Sequence, residues 1–282
     1  MNTNVHVEEK WNQWFAGLTD GDGCFYINKK EKSISYELTV HIFDSRVVYD
    51  IKNKLKAGSV LKRSNSQSIR YRVKSKEVIK NIVDRLNGRL YNEARIKQFE
   101  KACQLLNKQI ITPSSLLSKN DCYLAGLIDS DGSLTINISK SSQKDSQISG
   151  VEGKCLRLIN SRGANQLRLT IASKYLNNVT LIEKSYKMGV VYTEKENKNT
   201  LLLQSRGCPK EKHIWTLSSY NDFQILYEYL KNFPLKSTKM YRMRLVFIYF
   251  KYKELKYHLK ASDSLEFKLW SKLCKAWFKY SF

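Results

Sequence analysis

The stretch that decides the fold stands at residues 14–27 as WFAGLTDGDGCFYI and returns at residues 123–138 as YLAGLIDSDGSLTINI. Both copies read aromatic-x-Ala-Gly-Leu-x-Asp-x-Asp-Gly and continue into alternating apolar and polar residues, which is typical of a strand. The second aspartates of the copies, Asp22 and Asp131, lie 109 residues apart. Self-similarity of this kind predicts two modules with one architecture.

The two copies divide the chain into similar halves. We predict an N-terminal module at residues 1–112, a linker at residues 113–119 and a C-terminal module at residues 120–282, because TPSSLLSKN between the copies has the Pro and Ser of a linker. Each module is expected to run helix, two strands, helix, two strands, helix. The predicted fold class is therefore α+β, with two αββαββα modules related by pseudo-two-fold symmetry.

Hydrophobic periodicity and turn residues place the elements. In the first module they predict helices at Glu8–Thr19, Arg46–Lys56, Glu77–Asn87 and Ala94–Leu106, and strands at Cys24–Lys29, Ser35–Ile42, Val60–Arg63 and Ser68–Val73. In the second they predict helices at Leu181–Met188, Asp222–Asn232, Lys239–Tyr257 and Glu266–Phe278, and strands at Leu134–Ser139, Leu167–Ala172, Val190–Thr193, Thr200–Gln204 and His213–Leu217. A polar insertion from Ser141 to Gly153 separates the first two strands of the second module.

The charge balance indicates the class of partner. The chain has 49 Lys+Arg against 26 Asp+Glu, a net charge of +23, which favours binding to nucleic acid. No segment approaches eighteen uninterrupted apolar residues, so no membrane partner is expected. Residues 231–282 are strongly basic and carry interleaved aromatic side chains, so they form either a solvated helix face or a phosphate-binding one.

The six cysteines are scattered singly, with no C-x2-C pair. That spacing argues against a structural zinc site and a disulfide framework, so we interpret them as reduced thiols. The four histidines are far apart in sequence, and none is assigned a catalytic role.

Each motif places two acids at the end of a helix. Asp20 and Asp22 follow the last turn of the first motif helix, as Asp129 and Asp131 follow that of the second. Because the C-terminal carbonyls of a helix already carry partial negative charge, these carboxylates require a compensating cation. Mg²⁺ prefers carboxylate, carbonyl, water and phosphate oxygens. A plain Asp-Gly turn is the alternative for one copy alone, but its recurrence favours a metal site.

Small residues in the motifs predict how the modules meet. Ala16-Gly17 and Ala125-Gly126 place a patch with little side chain on helices that are otherwise apolar and bulky. Glycine lets two backbones approach closely. The two motif helices are therefore expected to pack against each other at the junction of the modules.

The segments Phe15–Gly23 (FAGLTDGDG) and Leu124–Gly132 (LAGLIDSDG) resemble the two signature motifs of the LAGLIDADG homing endonucleases. The chain resembles the monomeric, two-motif branch encoded by group I introns, over nearly its full length. The resemblance implies antiparallel sheets that form a DNA-binding saddle. It also implies a metal-dependent double-strand break with short 3′ overhangs in a long, non-palindromic target, which promotes mobility of the host intron.

The resemblance also implies the roles of site residues. Asp22 and Asp131 would be the catalytic metal ligands, assisted by the backbone carbonyls of Gly21 and Ser130. Mg²⁺ is the implied cofactor, with Mn²⁺ able to substitute and Ca²⁺ supporting binding without cleavage. Asp20 and Asp129 would be structural.

The family places a lysine near the metals, which corresponds here to Lys239, with Lys236 as the second choice. Aligning residues 95–97 with residues 242–244 puts Asn92 opposite Lys239, so the first module is expected to lack this lysine. Asp44 corresponds to a polar position near the metal, or else caps the helix that begins at Arg46.

DNA contacts are expected from the outward positions of the strands, because two-stranded ribbons fit the major groove. The candidates are Lys29, Lys30, Arg63, Asn65, Gln67, Arg70, Arg72 and Lys74 in the first module, and Asn137, Lys140, Arg168, Lys174, Gln204 and Arg206 in the second.

The predicted partner is double-stranded DNA of about twenty base pairs, bound by a monomer. Three other functions stay open: an intron RNA maturase, a bifunctional maturase and endonuclease, and a non-catalytic DNA-binding regulator. Retention of both Asp22 and Asp131 favours a nuclease. The Lys-, Asn-, Ile- and Tyr-rich composition and the lack of a leader pattern favour synthesis inside a mitochondrion or chloroplast.

Overall fold

The computed structural model describes residues 2–28, 30–31, 33–139, 147–194 and 211–280. The first half of the chain forms α1 (Asn2–Asp22), β1 (Gly23–Asn28), β2 (Ser33–His41), α2 (Ser45–Leu55), β3 (Ser59–Lys62), β4 (Ser68–Val73), α3 (Lys76–Leu86) and α4 (Glu93–Leu106). The second half forms α5 (Tyr123–Asp131), β5 (Ser133–Ile138), α6 (Gly150–Asn160), β6 (Asn165–Ser173), α7 (Leu176–Tyr186), β7 (Val190–Glu194), β8 (Lys212–Leu217), α8 (Tyr220–Asn232), α9 (Lys239–Met243), α10 (Val246–Glu254) and α11 (Leu265–Trp277).

The strands form two antiparallel four-stranded sheets with the same internal order. The first sheet runs β1-β2-β4-β3 and the second runs β5-β6-β8-β7. In each sheet an edge strand, β1 or β5, follows directly from a motif helix. The predicted fold class, α+β with two similar modules, is therefore confirmed.

Alternation along the strands gives each sheet a core face and an open face. On β4, Ile69, Tyr71 and Val73 are buried, whereas Arg70 and Arg72 between them are only partly covered. On β6, Leu167, Leu169 and Ile171 are buried in the same manner. Because successive side chains of a strand point to opposite faces, the polar residues share the side opposite the helices.

The motif helices α1 and α5 pack against each other along their glycines, as predicted. A Cβ built on Gly17 would lie 2.0 Å from the carbonyl oxygen of Tyr123, and one built on Gly126 would lie 1.9 Å from that of Trp14. No side chain fits at either distance, so the two backbones are in direct contact. This packing brings the C-terminal ends of both helices to one place.

Several boundaries differ from those predicted. Helix α1 begins at Asn2 rather than Glu8 and continues through Asp22 rather than ending at Thr19. Helix α7 begins at Leu176 rather than Leu181, although Asn177 and Asn178 in its first turn favour a turn by propensity. The predicted strand Thr200–Gln204 lies outside the described residues.

The second module departs further from a simple copy of the first. Helix α6 was not predicted: the polar insertion expected at Ser141–Gly153 covers only its first four residues, and the two glycines in GVEGKCLRLIN weaken a helical pattern. It forms because Leu158 and Ile159 are buried against the rest of the module. The single helix predicted at Lys239–Tyr257 is interrupted between α9 and α10, where the Leu245 N–H donates to the carbonyl of Arg242, three residues back.

Among the described residues, no helix is both long and apolar enough to span a membrane. The described cysteines are all free thiols, and Cys103, Cys122 and Cys274 are buried.

Candidate functional site

The packing of α1 against α5 sets Asp22 and Asp131 side by side at the junction of the two sheets. A Cβ built on Gly21 would lie 2.1 Å from the Ser130 hydroxyl oxygen and 3.0 Å from the Asp131 carboxyl carbon. Only glycine therefore fits at position 21 of the closely packed helix ends. The arrangement concentrates two carboxylates at two helix C-termini, which is the unfavourable end for negative charge.

The environment opposes ionisation of both acids. Burial, reinforced by the neighbouring Asp131 carboxylate, raises the pKa of Asp22 to about 6. Asp131 borders solvent, but the protein atoms around it still raise its pKa by desolvation. Lys239 and then Arg95 counteract the rise at both acids. The pair thus lies in an environment where added positive charge is favoured.

Asp20 has a different role from Asp22. Its Oδ2 accepts hydrogen bonds from the backbone N–H groups of Tyr91 and Asn92, at 2.7 and 3.2 Å, and from the Tyr123 hydroxyl at 2.6 Å. Burial raises its pKa to about 6. Asp20 therefore ties the end of α1 to the start of α4 and to α5, which is a structural function.

Asp129 makes the same set of contacts in the second module. Its carboxylate accepts the backbone N–H groups of Lys236 and Ser237, at 2.9 and 3.0 Å, and the indole N–H of Trp14 at 2.9 Å. Trp14 occupies the position in the first motif that Tyr123 occupies in the second. The pseudo-symmetry thus extends to individual hydrogen bonds.

These paired contacts correct the predicted alignment of the modules. If Tyr91 and Asn92 correspond to Lys236 and Ser237, then Lys239 corresponds to Ala94 and not to Asn92. The alignment on arginines was misplaced because Arg242 donates elsewhere, to the carbonyls of Trp277 and Leu134.

Lys239 lies at the site, and Lys236 does not. The Lys239 Nζ donates to the carbonyl oxygens of Ile128, Asp129 and Ser130, at 2.9, 2.7 and 2.8 Å, and so binds the C-terminal end of α5. Burial lowers its pKa, and the surrounding carboxylates oppose that effect. The Lys236 Nζ lies instead over the Trp14 ring and donates to Asp50 at 2.6 Å.

Arg95 is a site residue that the sequence analysis missed. Its Nη2 donates to the carbonyl of Gly21 at 3.1 Å, and its Nη1 to Gln98 Oε1 at 2.8 Å. In the first turn of α4, it stands next to the position that corresponds to Lys239. An available signal was a cation in the first turn of a helix, where the dipole disfavours it.

Asp44 joins the two modules beside the site. It occupies the N-cap position of α2, but its side chain makes no capping hydrogen bond. Its Oδ1 instead accepts a hydrogen bond of 2.6 Å from the backbone N–H of Thr238, the residue before α9. The first module therefore fixes the start of the helix that carries Lys239.

The donor set fits a hard divalent cation. The described residues hold no cluster of three or more His, Cys, Asp or Glu side chains that could bind a metal unaided. They offer two carboxylates and the carbonyls of Gly21 and Ser130, which face Arg95 and Lys239. Mg²⁺ typically uses one or two carboxylates, several waters and substrate phosphates, so the site fits it once a phosphate is present.

Of the predicted DNA contacts that the structure describes, those within strands lie on the open faces of the sheets. Arg70, Arg72 and Arg168 lie on the partly covered faces of β4 and β6, and Asn137 is exposed on β5. The others follow strands or lie in their turns, and all are exposed: Lys30, Arg63, Asn65, Gln67, Lys74 and Lys174. Lys29, Lys140, Gln204 and Arg206 lie outside the described residues.

Two of the arginines share an acid that the sequence analysis did not single out. Glu37 on β2 lies 3.3 Å from Arg70 Nη1 and 2.8 Å from Arg72 Nε, through different carboxylate oxygens. Register places Glu37 directly opposite Arg72. Glu37 therefore orients both guanidinium groups on the open face of the first sheet.

Known proteins resemble the chain over nearly its full length. A family model described as LAGLIDADG endonuclease matches residues 15–106. The chain is 31% identical over 274 residues to a probable intron-encoded endonuclease aI2 of Debaryomyces hansenii, covering 97% of this chain and 38% of that protein. It is 32% identical over 269 residues to the intron-encoded RNA maturase bI4 of Saccharomyces cerevisiae, covering 95% of this chain and 36% of that protein.

Solved structures share the fold. The meganuclease I-SmaMI bound to uncleaveable DNA superposes with a TM-score of 0.63 at 16% identity, over 94% of this chain and 97% of that one. The chain spans little more than a third of the length of the two curated relatives. Motifs, fold and comparisons agree: residues 15–106 match the LAGLIDADG endonuclease family model, and the second module repeats the motif and the sheet order of the first.

Proposed function

We propose that the protein is a site-specific homing endonuclease that makes a metal-dependent double-strand break in duplex DNA. The observation that carries the proposal is the juxtaposition of Asp22 and Asp131 at the packed ends of α1 and α5. Two acid sites related by pseudo-two-fold symmetry match the two strands of a duplex. The relatives named as intron-encoded endonucleases support the same reading.

Endonucleases of this family generally depend on a divalent metal. We assign Asp22 and Asp131 as the ligands, with the carbonyls of Gly21 and Ser130 assisting, and Mg²⁺ as the ion. Mn²⁺ should substitute, whereas Ca²⁺ should support binding without cleavage because it holds its ligands more loosely. When bound, the metal supplies positive charge to the phosphoryl oxygens and activates a water.

The chain's own groups hold the reacting parts in place. Water adds to phosphorus, the bond from phosphorus to the 3′ oxygen breaks, and the 3′ oxygen takes up a proton. Asp20 and Asp129 keep the helix ends together by the hydrogen bonds described above. Lys239 adds positive charge beside both acids and fixes the end of α5. Its role is catalytic if it touches the phosphate.

The two open sheet faces are the proposed DNA-reading surfaces. Their long strands, β2 and β6, have 9 residues each, which corresponds to about 30 Å at about 3.3 Å per residue. One turn of B-DNA is about 34 Å, so two modules should protect about twenty base pairs. Because the modules differ in sequence, the target should be non-palindromic, and one chain should suffice to bind it.

Footprinting and sedimentation of one complex check this expectation together. A target duplex can be isolated by selecting Ca²⁺-dependent binders from a randomised DNA library. We expect one protein chain per duplex and protection of about twenty base pairs. A palindromic site bound by two chains would contradict the two-module interpretation.

Helix α11 is proposed to extend the phosphate contacts beside the second sheet. It lies along β5 and α6, because the Trp270 indole donates to the carbonyl of Ile159 near one end, and Arg242 links the carbonyls of Trp277 and Leu134 at the other. Three exposed lysines of α11, and a fourth two residues beyond its end, fall at helical spacing: Lys268, Lys272, Lys275 and Lys279. Within the described residues none of these four forms an ion pair.

Replacing these four lysines in and just after α11 by glutamine is expected to weaken DNA binding and flatten its salt dependence. If all four neutralise phosphates, the slope of log affinity against log salt should fall by up to about 3.6. The matched control replaces four lysines away from the open faces: Lys52, Lys80, Lys119 and Lys184. Equal slopes for the two quadruple variants would show that α11 acts only through net charge.

The maturase relative supports a second candidate function, RNA binding in intron splicing. The same basic surface could bind RNA phosphates, and a bifunctional protein would keep both acids. Incubation with the intronless host gene and Mg²⁺, followed by mapping of the cut ends, tests the nuclease. Stimulation of splicing by a protein that never cuts DNA would favour the maturase instead.

The names of the relatives indicate an intron-encoded protein. We propose that the chain acts in a mitochondrion or chloroplast and promotes mobility of its host intron. Cleavage of an intron-free allele, and loss of cleavage once the intron interrupts the target, would support this.

A further inference from the structure

Each of the two backbone carbonyls proposed to assist the metals accepts a hydrogen bond from a cation. The Gly21 carbonyl accepts Arg95 Nη2 at 3.1 Å, and the Ser130 carbonyl accepts Lys239 Nζ at 2.8 Å. Gly21 and Ser130 occupy the same position in the two motifs. The two cations therefore donate hydrogen bonds to equivalent carbonyls, one in each half of the site.

They do so from different positions in the fold. The backbone contacts of Asp20 and Asp129 make Ala94 the counterpart of Lys239. Alanine has no head group, so the first module has no cation at that position. Arg95, one residue further along α4, reaches back over the helix start to the same carbonyl.

The two cations also differ chemically. The Lys239 ammonium has three N–H donors and donates to three consecutive carbonyls of α5. The Arg95 guanidinium is a planar fork that contacts one carbonyl of α1 and the Gln98 side chain on its own helix. A guanidinium and an ammonium are not interchangeable in geometry or hydration. Two halves of one active site are thus built with unequal cations.

We propose that Arg95 is the positioning cation of the first half-site, as Lys239 is of the second, and that the two DNA strands are consequently cut at unequal rates. The proposal rests on the endonuclease function proposed above. Each cation holds a backbone carbonyl of its own motif helix, and both cations lie beside the acid pair that would bind the ion. Removal of one cation should therefore slow one strand more than the other, and should relieve repulsion of a bound divalent ion.

The test measures nicking of each strand separately. A supercoiled plasmid carrying the selected target duplex is labelled on either strand and incubated with wild type, Arg95→Gln and Lys239→Gln in Mg²⁺. We expect each variant to slow one strand about 10–100-fold, with Arg95→Gln and Lys239→Gln acting on opposite strands. Arg95→Lys should restore part of the lost rate, because it returns the charge.

The control is Lys97→Ala, which removes the same charge from an exposed residue of α4. It should leave the ratio of the two strand rates unchanged. Equal slowing of both strands by Arg95→Gln would overturn the assignment, as would slowing of the same strand by both glutamine variants. Thermal unfolding of each variant shows whether a loss comes from the fold. If Arg95→Gln is unfolded, Arg95→Met, which also lacks the charge, replaces it.

A second readout needs no cleavage. Ca²⁺ affinity of each protein on the same duplex, measured by titration calorimetry, should rise at least about threefold in Arg95→Gln and in Lys239→Gln, because a like charge has been removed from beside the ion. If the wild type cuts neither strand but the two glutamine variants still bind Ca²⁺ more tightly, the proposed endonuclease function is wrong and the position of both cations beside the ion is supported. Unchanged Ca²⁺ affinity would refute that role.

Discussion

Asp22→Asn is expected to abolish double-strand cutting, and Asp131→Asn to do the same. Each substitution removes a negatively charged ligand from the pair of carboxylates that we assign to the metals. A metal ion that neutralises charge on the phosphoryl oxygens stabilises the transition state by several kcal/mol. The rate should therefore fall by at least about a hundredfold in Mg²⁺, since about 1.4 kcal/mol is a factor of ten. Affinity for the target duplex in Ca²⁺ should stay within about tenfold, because most affinity comes from phosphate contacts on the sheets.

The fold of these two variants provides the control. Burial and the neighbouring carboxylate already oppose ionisation of Asp22, so in metal-free buffer near neutral pH its removal relieves repulsion. The melting temperature of Asp22→Asn should therefore equal or exceed that of wild type, which makes a loss of activity by unfolding testable. An unchanged cutting rate in a folded Asp22→Asn variant would refute the metal-ligand assignment.

The two-module fold was predictable from sequence because its strongest signals are local. The repeated motif fixed two equivalent helices, and the alternation after each copy predicted β1 and β5. Small residues at equal positions of both motifs predicted close packing of α1 and α5, which the Gly17 and Gly126 geometry bears out. Pattern and packing agree where one face of an element is buried.

Tertiary contacts decided what the sequence could not. Helix α6 carries two glycines, and its burial against the second module outweighs weak propensity. The register between modules was misjudged because arginines were matched to each other, whereas the fold matches the backbone N–H groups that bind Asp20 and Asp129. The contact that Arg95 makes is visible only in the fold, because its acceptor is the backbone carbonyl of Gly21, and a carbonyl is present at every position of a sequence.

The same limit applies to the link between modules. Asp44 was weighed as a metal-site residue or a helix cap, but its carboxylate accepts the N–H of Thr238 from the other half of the chain. A contact across 194 residues has no periodic signature. The motifs therefore predict the acids of the site, whereas its other groups come from both modules and are brought together only by the fold.

Gly17→Ala is expected to cause a large loss of stability, and its counterpart Gly126→Ala to do the same. The added Cβ would meet backbone atoms of the opposite helix at 2.0 and 1.9 Å, respectively. Backbone cannot rotate away as a side chain can, so the two helices must separate along their length. The cost should reach the upper end of overpacking, about 3 kcal/mol or more. At about 2–4 °C per kcal/mol, the melting temperature should fall by at least about 6 °C.

Gly150→Ala separates steric crowding from backbone conformation. Gly150 has a φ of +72° with open space around the added Cβ, so its substitution costs only the conformational strain, about 1–2 kcal/mol. The melting temperatures of Gly17→Ala and Gly126→Ala should therefore both lie well below that of Gly150→Ala. Cutting should also fall in Gly17→Ala at temperatures where the protein is still folded, because separating α1 from α5 moves Asp22 away from Asp131. A Gly17→Ala protein as stable and active as wild type would mean that the helices do not hold the two acids by direct backbone contact.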